Sequence, residues 1–409
     1  MIKKMFICSY SSDFILGGIE SYYIRMFQWA AENGYENMLV IPKNKCVSED
    51  WTEDIENARV KVAFYNKVSK KNSLINKAGK AIQIDSERIG VAVVADMSSY
   101  IKMQRLKQKY NLKKVKIILY MFLPEFCRAS KKKWLNFPYK SVVTKLFESS
   151  MIFMDEETKH YCEQFYGCNI SEKQIVRLGL QVGEIPSDIV EKREKTRIKE
   201  FNIITVTRLE FPFKAYVLGL IDEYIKLKDV YPFIKLFILG DGDGKDRLKE
   251  KVLTVDEQKR KDIYFLGSVP YNELSYHFEK SQLYIGMGTT LLDAGLSGLP
   301  GIIAKAYSEN AMTTGFIYEE YNNLSGNEKI NKKKLMSCRE LIEKVINFSK
   351  EEYILAERAS YNIVLKYYNI ENNMKKILEI QDDVKICKSK IIFLDYYGEI
   401  LRKIQGKFK

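Results

Sequence analysis

Histidine is almost absent from this chain, which has two histidines in 409 residues. Its seven cysteines are scattered and include no Cys-x-x-Cys pair, so the side chains that bind zinc are neither abundant nor suitably spaced. The odd number of cysteines also argues against a disulfide framework, and we interpret them as reduced thiols of a cytosolic protein. The composition therefore argues against a zinc-binding domain and against a secreted domain stabilised by disulfides.

Long apolar runs are missing as well. The longest is seven residues, Ile117 to Leu123, against the roughly 20 that a membrane-spanning helix needs. The run Met5 to Cys8 is too short for a signal-peptide core and is soon followed by serines and an aspartate. We therefore expect a cytoplasmic protein that is soluble or bound peripherally to the inner face of the plasma membrane.

Positive charge and apolar residues are plentiful. The sequence has 66 Lys and Arg against 53 Asp and Glu, a formal net charge of +13, and 46% hydrophobic residues. A chain of this length exceeds the size at which a single core stops growing, so two domains are expected. The charge implies an anionic partner, which could be a nucleotide, a nucleic acid or a lipid surface.

Short apolar runs alternate with helical patterns in both halves of the chain. The strand-like runs are 4–10, 37–41, 89–95, 115–122 and 151–154, and then 201–206, 234–239, 263–266, 283–285 and 301–304. This alternation predicts an α/β fold of two tandem halves, each a doubly wound parallel sheet that binds ligands at the carboxyl ends of its strands. The predicted boundaries are an N-terminal domain 1–183, a charge-rich linker 184–200, a C-terminal domain 201–370, and helices in 371–409 that cross back to the N-terminal domain.

The sharpest local feature is Gly286-Met-Gly-Thr-Thr-Leu-Leu-Asp293, where a predicted strand runs into two glycines, two threonines and a helix. A helix that begins near Thr289 offers unpaired N–H groups and a positive dipole end, which suit a diphosphate. Asp293, one turn inside, could reach ribose hydroxyls. An ordinary glycine turn with a threonine cap explains the same residues equally well.

Arg208 and Lys214 follow the first predicted strand of the second half, at its carboxyl end. Two fixed cations there could neutralise a departing diphosphate, whereas either one alone reads as part of a solvated loop. Gly17-Gly18 at the first strand-to-helix junction would let the backbone approach a ligand closely, although a simple turn explains the pair as well.

Five motifs occur in the order seen in retaining GT-B glycosyltransferases of the family 4 type, and the chain resembles that family over most of its length, most strongly from 201 to 304. These motifs are Gly17-Gly-Ile-Glu, Thr207-Arg-Leu with a lysine six residues after the arginine, Ile238-Leu-Gly-Asp-Gly, Phe265-Leu-Gly-Ser-Val-Pro, and the block from Gly286 to Pro300. The resemblance implies a GT-B fold, in which two Rossmann-like domains face a central cleft. It also implies that the N-terminal domain binds the acceptor and the C-terminal domain the nucleotide sugar.

By the same resemblance, Arg208 and Lys214 are the catalytic residues that hold the donor diphosphate, and Asp293 takes the ribose. The sugar would keep its anomeric configuration, and no metal or other cofactor is expected. The remaining implied contacts are Gly267, Ser268 and Val269 against the nucleobase, Gly286, Gly288, Thr289, Thr290 and Leu291 at the donor, and Gly17, Gly18 and Glu125 on the acceptor side of the cleft.

The chain departs from the family in three places, of which the mildest is Ala215 after Lys214, where glycine is common. The family usually has two glutamates eight positions apart; here Asp293 replaces the second and Ile285 the first, and isoleucine cannot hydrogen-bond a sugar. Many members carry a histidine after the strand that corresponds to 115–122, but His160 and His277 fall in helical stretches, where we interpret them as surface or packing residues. No general base can be assigned.

Asp241-Gly-Asp243 resembles a metal-binding Asp-x-Asp pair, but glycine and aspartate directly after a strand predict a turn.

Three segments are strongly basic: 102–116 and 128–145, which contain no acid, and the amphipathic tail 385–409. A basic amphipathic stretch can lie on an anionic membrane, which suits an acceptor carried on a polyprenyl diphosphate; a solvated lysine-rich face is the alternative.

The function that these features favour is transfer of a sugar from a UDP- or GDP-linked donor to a glycan or lipid-linked acceptor in polysaccharide biosynthesis, such as that of a capsule. The alternative is a catalytically silent GT-B subunit that binds a nucleotide or glycan and supports a partner enzyme. Specific nucleic-acid binding is not expected, because no recognised motif accompanies the charge.

Overall fold

The computed structural model describes residues 4–68, 71–128, 130, 132–181, 187–382 and 384–406. The chain divides into two compact units. Unit 1 consists of Met1–Gln181 and Ile370–Lys409, and unit 2 consists of Val182–Asn369. The last 40 residues of the chain therefore belong to the same unit as the first strand.

Strands and helices alternate along most of the chain. The strands are β1 (Lys4–Ser9), β2 (Tyr35–Pro42), β3 (Val60–Val68), β4 (Lys71–Ile75), β5 (Ile89–Val94), β6 (Val115–Met121), β7 (Met151–Phe153), β8 (Phe201–Val206), β9 (Ile234–Leu239), β10 (Ile263–Gly267), β11 (Leu283–Gly286), β12 (Gly301–Ala304), β13 (Met312–Phe316) and β14 (Met336–Ser337). The helices are α1 (Gly18–Glu32), α2 (Thr52–Asn57), α3 (Met97–Lys109), α4 (Phe137–Phe147), α5 (Glu156–Tyr166), α6 (Ser187–Thr196), α7 (Tyr216–Val230), α8 (Lys245–Leu253), α9 (Glu257–Arg260), α10 (Leu274–Glu279), α11 (Thr289–Leu296), α12 (Glu328–Asn331), α13 (Cys338–Ile346), α14 (Lys350–Tyr367), α15 (Ile370–Glu379) and α16 (Lys388–Gly406).

The sheet of unit 1 has the strand order β4-β3-β2-β1-β5-β6-β7. All neighbours are parallel except β3 and β4, which form an antiparallel pair. Alternate residues of β1 face two different cores, with Met5 and Ile7 on one side and Phe6 and Cys8 on the other. Helices cover both faces of the sheet, which is why its central strands read as continuous apolar runs.

The sheet of unit 2 has the strand order β10-β9-β8-β11-β12-β13-β14. The first five strands are parallel, whereas β13 and β14 are antiparallel to their neighbours. The predicted parallel sheets are thus present at the centre of both units, and antiparallel strands extend one edge of each. Among the described residues, no helix is long and apolar enough to cross a bilayer.

The charge-rich segment 184–200, predicted to be a linker, includes the packed helix α6. Its Arg193 is 1% exposed and donates hydrogen bonds to Glu357 Oε1 (3.0 Å) and to the Ser297 carbonyl (2.8 Å). The sequence pattern was misleading because part of this charge is buried in an ion pair with α14 rather than solvated.

Each sheet has a switch point beside its first strand. In unit 1, β2 to β4 lie on one side of β1 and β5 to β7 on the other; in unit 2, β9 and β10 lie on one side of β8 and β11 to β14 on the other. The loops that leave the two central strands diverge at such a point and create the crevice in which open α/β sheets bind ligands. The β1/β5 and β8/β11 junctions are therefore where ligands are expected.

Candidate functional site

The loop after β8 carries Arg208 and Lys214 and is fixed to the loop after β9. The N–H of Leu209 donates to the Asp241 carbonyl at 2.9 Å. The two backbones approach so closely that a Cβ on Gly242, whose φ is +154°, would lie 2.8 Å from the Leu209 carbonyl carbon. Glycine is required there for space and for backbone conformation, so this motif holds the loop that carries the two cations.

The Asp241-Gly-Asp243 segment lies in a turn, and both carboxylates have structural contacts. Asp243 Oδ1 accepts the N–H of Phe211 at 3.1 Å. Asp241 Oδ1 accepts the N–H of Gly242 at 2.8 Å, and its other oxygen pairs with Lys245. Within the part of the chain that the structure describes, no group of three or more potential metal ligands comes together.

Arg208 and Lys214 are close enough to repel each other. Arg208 is half-exposed, with Nη1 3.5 Å from Glu210 Oε1. Lys214 is mostly buried, and its Nζ lies 6.0 Å from the centre of the Phe213 ring. Burial, followed by the charge of Arg208, lowers the pKa of the Lys214 ammonium to about 8, while Glu210 acts in the opposite direction. A bound anion would relieve the repulsion and raise this pKa again.

The turn between β11 and α11 is pinned to the end of β8. The hydroxyls of Tyr284 and Thr290 lie 2.6 Å apart, at 3.2 and 3.1 Å from the Val206 carbonyl oxygen. Gly288 has φ +72° and ψ −146°, a conformation open in practice to glycine alone. The start of α11 is therefore held against the strand from which Arg208 emerges two residues later.

Gly288 is the N-cap residue of α11, so the threonine cap considered from the sequence is wrong. The Thr290 hydroxyl instead contacts β8, and glycine has no side chain with which to cap a helix. The first-turn N–H groups, including those of Thr289 and Leu291, have no acceptor within the helix. The Leu291 side chain is fully buried, so it could contribute to donor binding only through its backbone.

Asp293 is 8% exposed and accepts a hydrogen bond from the Tyr271 hydroxyl at its Oδ1 (2.8 Å). Tyr271 comes directly after the loop that contains Gly267, Ser268 and Val269. This hydrogen bond joins the segment expected at the nucleobase to the residue expected at the ribose. Tyr271 was not predicted as a site residue, and its position just beyond a recognised motif was the one available signal.

The four loops at this edge are hydrogen-bonded to one another. Besides the contacts above, the N–H of Gly240 donates to the Gly267 carbonyl at 2.7 Å, which links the ends of β9 and β10. We call these loops the donor edge; they are 207–216, 240–244, 267–271 and 286–293. The four loops of the donor edge contain every residue that was expected to contact the donor.

Gly17 and Gly18 begin α1 at the switch point of unit 1. The backbone of Gly17 is extended, and a Cβ there would lie 2.3 Å from Oε2 of Glu20, a carboxylate that is 6% exposed. Gly17 therefore makes room for a buried carboxylate in the first turn of the helix, where the dipole favours it. Glu125 lies in the 3₁₀ helix Pro124–Cys127, but its side chain is outside the described residues.

Ile285 is 0% exposed and belongs to the core cluster beneath the sheet of unit 2. The position that corresponds to the first glutamate of the resembling family is thus inside β11 and buried in the core. His160 is exposed on α5, with Nε2 2.8 Å from Gln164 Nε2. His277 is on α10, and burial lowers the pKa of its imidazole. Both histidines lie on helices rather than in the loops of the carboxyl edges.

Three of the seven cations of the first basic segment, 102–116, hold the C-terminal residues of unit 1. Arg105 pairs with Asp395, and Lys107 Nζ lies 3.0 Å from Asp382 Oδ2. The ammonium of Lys116 donates to two carbonyls at the end of α15 at 3.1 Å. These cations stabilise the fold, so this segment is a poor candidate for an anionic membrane contact.

No protein-family model matches the chain, and no curated protein matches it either. Solved structures match it at the level of fold. A glycosyltransferase from Rickettsia africae ESF-5 is 13% identical with a TM-score of 0.60, over 92% of this chain and 97% of that one. A TarM variant of S. aureus, solved with Fondaparinux, alpha-GlcNAc-glycerol and UDP, is 12% identical with a TM-score of 0.57, over 92% and 99%.

The N-terminal domain of Candida albicans trehalose-6-phosphate phosphatase is 13% identical with a TM-score of 0.58, over 92% of this chain and 97% of that chain. Identities this low show a shared fold, and the names of these proteins include more than one activity. The predicted fold class, an α/β chain of two Rossmann-like units of the GT-B type, is confirmed.

Proposed function

We propose that this chain is a glycosyltransferase that takes its sugar from a UDP- or GDP-linked donor. The observation that carries the proposal is the donor edge, where the loop with two cations follows β8 and the glycine-capped helix α11 follows the neighbouring strand β11. A diphosphate matches this combination of charge and N–H groups. Support for the same class comes from the similar Rickettsia africae structure, which is named a glycosyltransferase, and from the TarM structure, which was solved with UDP.

In this proposal, Arg208 and Lys214 stabilise the charge that the diphosphate gains as its bond to the sugar breaks. The first-turn N–H groups of α11 contribute in the same direction. The acceptor hydroxyl attacks from the face that the diphosphate leaves, and its proton passes to a departing diphosphate oxygen. The sugar keeps its anomeric configuration, and the step uses neither an enzyme nucleophile nor a metal ion.

Donor recognition is assigned to the remaining loops of the donor edge. Asp293 binds the ribose hydroxyls, and Tyr271 orients its carboxylate through the 2.8 Å hydrogen bond. The loop Gly267 to Val269 lies against the base. The acceptor, a glycan or a polyprenyl-diphosphate-linked sugar of polysaccharide biosynthesis, is assigned to Gly17, Gly18 and the 3₁₀ helix that contains Glu125. The protein would then work in the cytoplasm, at the inner face of the membrane.

A silent GT-B subunit that binds a nucleotide without turnover is the second candidate. The burial of Ile285 favours it, because a side chain with 0% exposure in the core cannot take the role of a sugar-binding glutamate. The two candidates share the donor edge and differ only in whether the sugar bond breaks.

The decisive experiment follows the release of free nucleotide from a panel of UDP- and GDP-sugars by the purified chain, together with calorimetric titration of UDP and GDP. Arg208→Ala is the test variant. Arg247→Ala is its matched control, because both arginine side chains are 53% exposed and Arg247 pairs with Glu309, neither residue being part of the four loops. The enzyme proposal expects nucleotide release that Arg208→Ala lowers at least about a hundredfold and Arg247→Ala leaves unchanged.

Nucleotide binding without release, lost in Arg208→Ala, would identify the silent subunit. Binding of neither nucleotide, or equal binding by both variants, would overturn the assignment of the donor edge.

A further inference from the structure

The C-terminal helix α16 buries one apolar side in unit 1 and exposes another. Ile391, Leu394 and Leu401 are buried in the core of unit 1. The exposed side chains recur at positions 393, 396, 400 and 404, a spacing that places them on one face of the helix. They are Phe393 (50% exposed), Tyr396 (61%), Ile400 (38%) and Ile404 (47%).

Two further exposed aromatic side chains belong to a segment that is hydrogen-bonded to this helix. The Tyr397 hydroxyl donates to the Leu135 carbonyl at 2.9 Å, and the Phe393 ring stacks on Tyr397 with centroids 5.9 Å apart. Trp134 and Phe137, which are close to Leu135 in the sequence, are 71% and 77% exposed. We call Trp134, Phe137, Phe393, Tyr396, Ile400 and Ile404 the aromatic face.

The chain segments that form the aromatic face are strongly basic. Segment 128–145 has six basic residues and no acid, and segment 388–406 has four basic residues and two acids. One of those acids, Asp395, is buried in its ion pair with Arg105. The segments that form the aromatic face therefore carry a net positive charge, and Lys132, Lys133 and Lys403 in these segments are exposed.

We propose that the aromatic face is a docking surface for an anionic lipid bilayer. Large aromatic and aliphatic side chains flanked by lysines are the composition that lies at the boundary between headgroups and acyl chains. The lysines would be attracted to acidic headgroups, and α16 would lie parallel to the surface. This surface differs from the basic segment 102–116, whose charges are used inside unit 1, and it does not depend on whether the chain transfers a sugar.

The test is co-sedimentation of the full chain with vesicles of phosphatidylcholine alone and of phosphatidylcholine mixed with phosphatidylglycerol. We expect binding that needs phosphatidylglycerol and falls with added salt. The double variant Trp134→Ser/Phe137→Ser should weaken it at least about tenfold. Leu253→Ser/Leu355→Ser is the matched control, because these leucines are 68% and 63% exposed on unit 2, and it should bind as the wild type does.

Folding and UDP binding are measured separately from vesicle binding, in the same samples. Both double variants change exposed side chains, so circular dichroism and UDP titration should match the wild type whether or not the docking proposal holds. The proposal is overturned if the wild type fails to bind the acidic vesicles, or if Trp134→Ser/Phe137→Ser binds them as tightly as the control. It is also overturned if light scattering shows a dimer that this variant dissociates, because a second copy would then occupy the face.

Discussion

Units 1 and 2 share one architecture, yet the carboxyl edges of their sheets differ in chemistry. The donor edge of unit 2 combines Arg208, Lys214 and a glycine-capped helix. Beneath the corresponding edge of unit 1, the core is packed with aromatic rings, such as Tyr120 and Phe122, which are buried and stacked with centroids 4.3 Å apart. The loops at the switch point of unit 2 thus carry two cations, whereas α1 at the switch point of unit 1 begins with glycines and has the buried carboxylate of Glu20 in its first turn.

The difference shows how a fold that is common to many proteins acquires separate ligand preferences. Strand order determines where a crevice forms, while the loop residues determine what it can bind. The two cations of the donor edge suit a charged ligand, whereas the described residues at the start of α1 carry no such pair of cations. The comparison can be tested by removing what distinguishes the donor edge.

The largest effect is expected from Lys214→Met, which removes a charge and keeps the length and bulk of the side chain. Burial disfavours the ammonium, since its pKa falls to about 8. Replacement should therefore raise the free energy of unfolding by about 1–2 kcal/mol while lowering nucleotide release at least about a hundredfold. Urea denaturation and the release assay measure the two quantities. Lower stability together with normal turnover would mean that Lys214 has a structural role.

Gly288→Ala should disturb the donor edge through the backbone. Because φ +72° with ψ −146° is strained for alanine, we expect a loss of about 1–3 kcal/mol in unfolding free energy and at least about tenfold weaker UDP binding. Gly34→Ala is the control in unit 1, since φ there is +78° and neither glycine has an atom within 4 Å of the added Cβ. Gly34→Ala should lower the free energy of unfolding and leave UDP affinity unchanged. Equal UDP affinity in both variants would show that the turn at Gly288 does not contribute to UDP binding.

The pH dependence of UDP binding should reveal the lowered pKa of Lys214. The charged ammonium binds the diphosphate, so affinity is full below pH 8 and falls up to about tenfold per pH unit above it. The free energy of unfolding of the protein without UDP changes in the opposite direction. Between pH 8 and 10.5 the unfolded lysine keeps a proton that the folded one loses, so stability rises with pH.

Lys214→Arg is the control for this titration, because a guanidinium stays charged throughout the range. Its UDP affinity should not decline between pH 8 and 10. An identical decline in the wild type and in Lys214→Arg would assign the titration to another group.

The central strands were predictable because burial on both faces demands continuous apolar runs, as in β1 and β8. Strand β3 was missed because its lysines, Lys61 and Lys67, break the apolar pattern. The antiparallel edges formed by β4, β13 and β14 are set by tertiary pairing rather than by a local pattern. Helix α6 was mistaken for a linker because the sequence does not distinguish an arginine in water from one paired with Glu357.

Within the candidate site, glycine loops and cations could be recognised along the chain, but contacts between loops could not. The hydrogen bond from Tyr271 to Asp293 joins residues 22 positions apart and exists because the ends of β10 and β11 reach the same edge of the sheet. The anchoring of Thr290 on the Val206 carbonyl spans 84 positions and is of the same kind.

The smallest effect is expected from Tyr271→Phe, which tests whether one such contact matters to the donor edge. The ring remains and only the hydroxyl that holds Asp293 is lost, so we expect the Kd for UDP to rise about three- to tenfold with kcat nearly unchanged. Tyr276→Phe is the matched control, because Tyr276 is exposed to a similar extent and its hydroxyl contacts Lys280 instead. If both variants bind UDP equally, Asp293 holds its position without Tyr271. A loss of UDP affinity in Tyr271→Phe alone would show that UDP binding at the donor edge depends on a pair of residues from two loops.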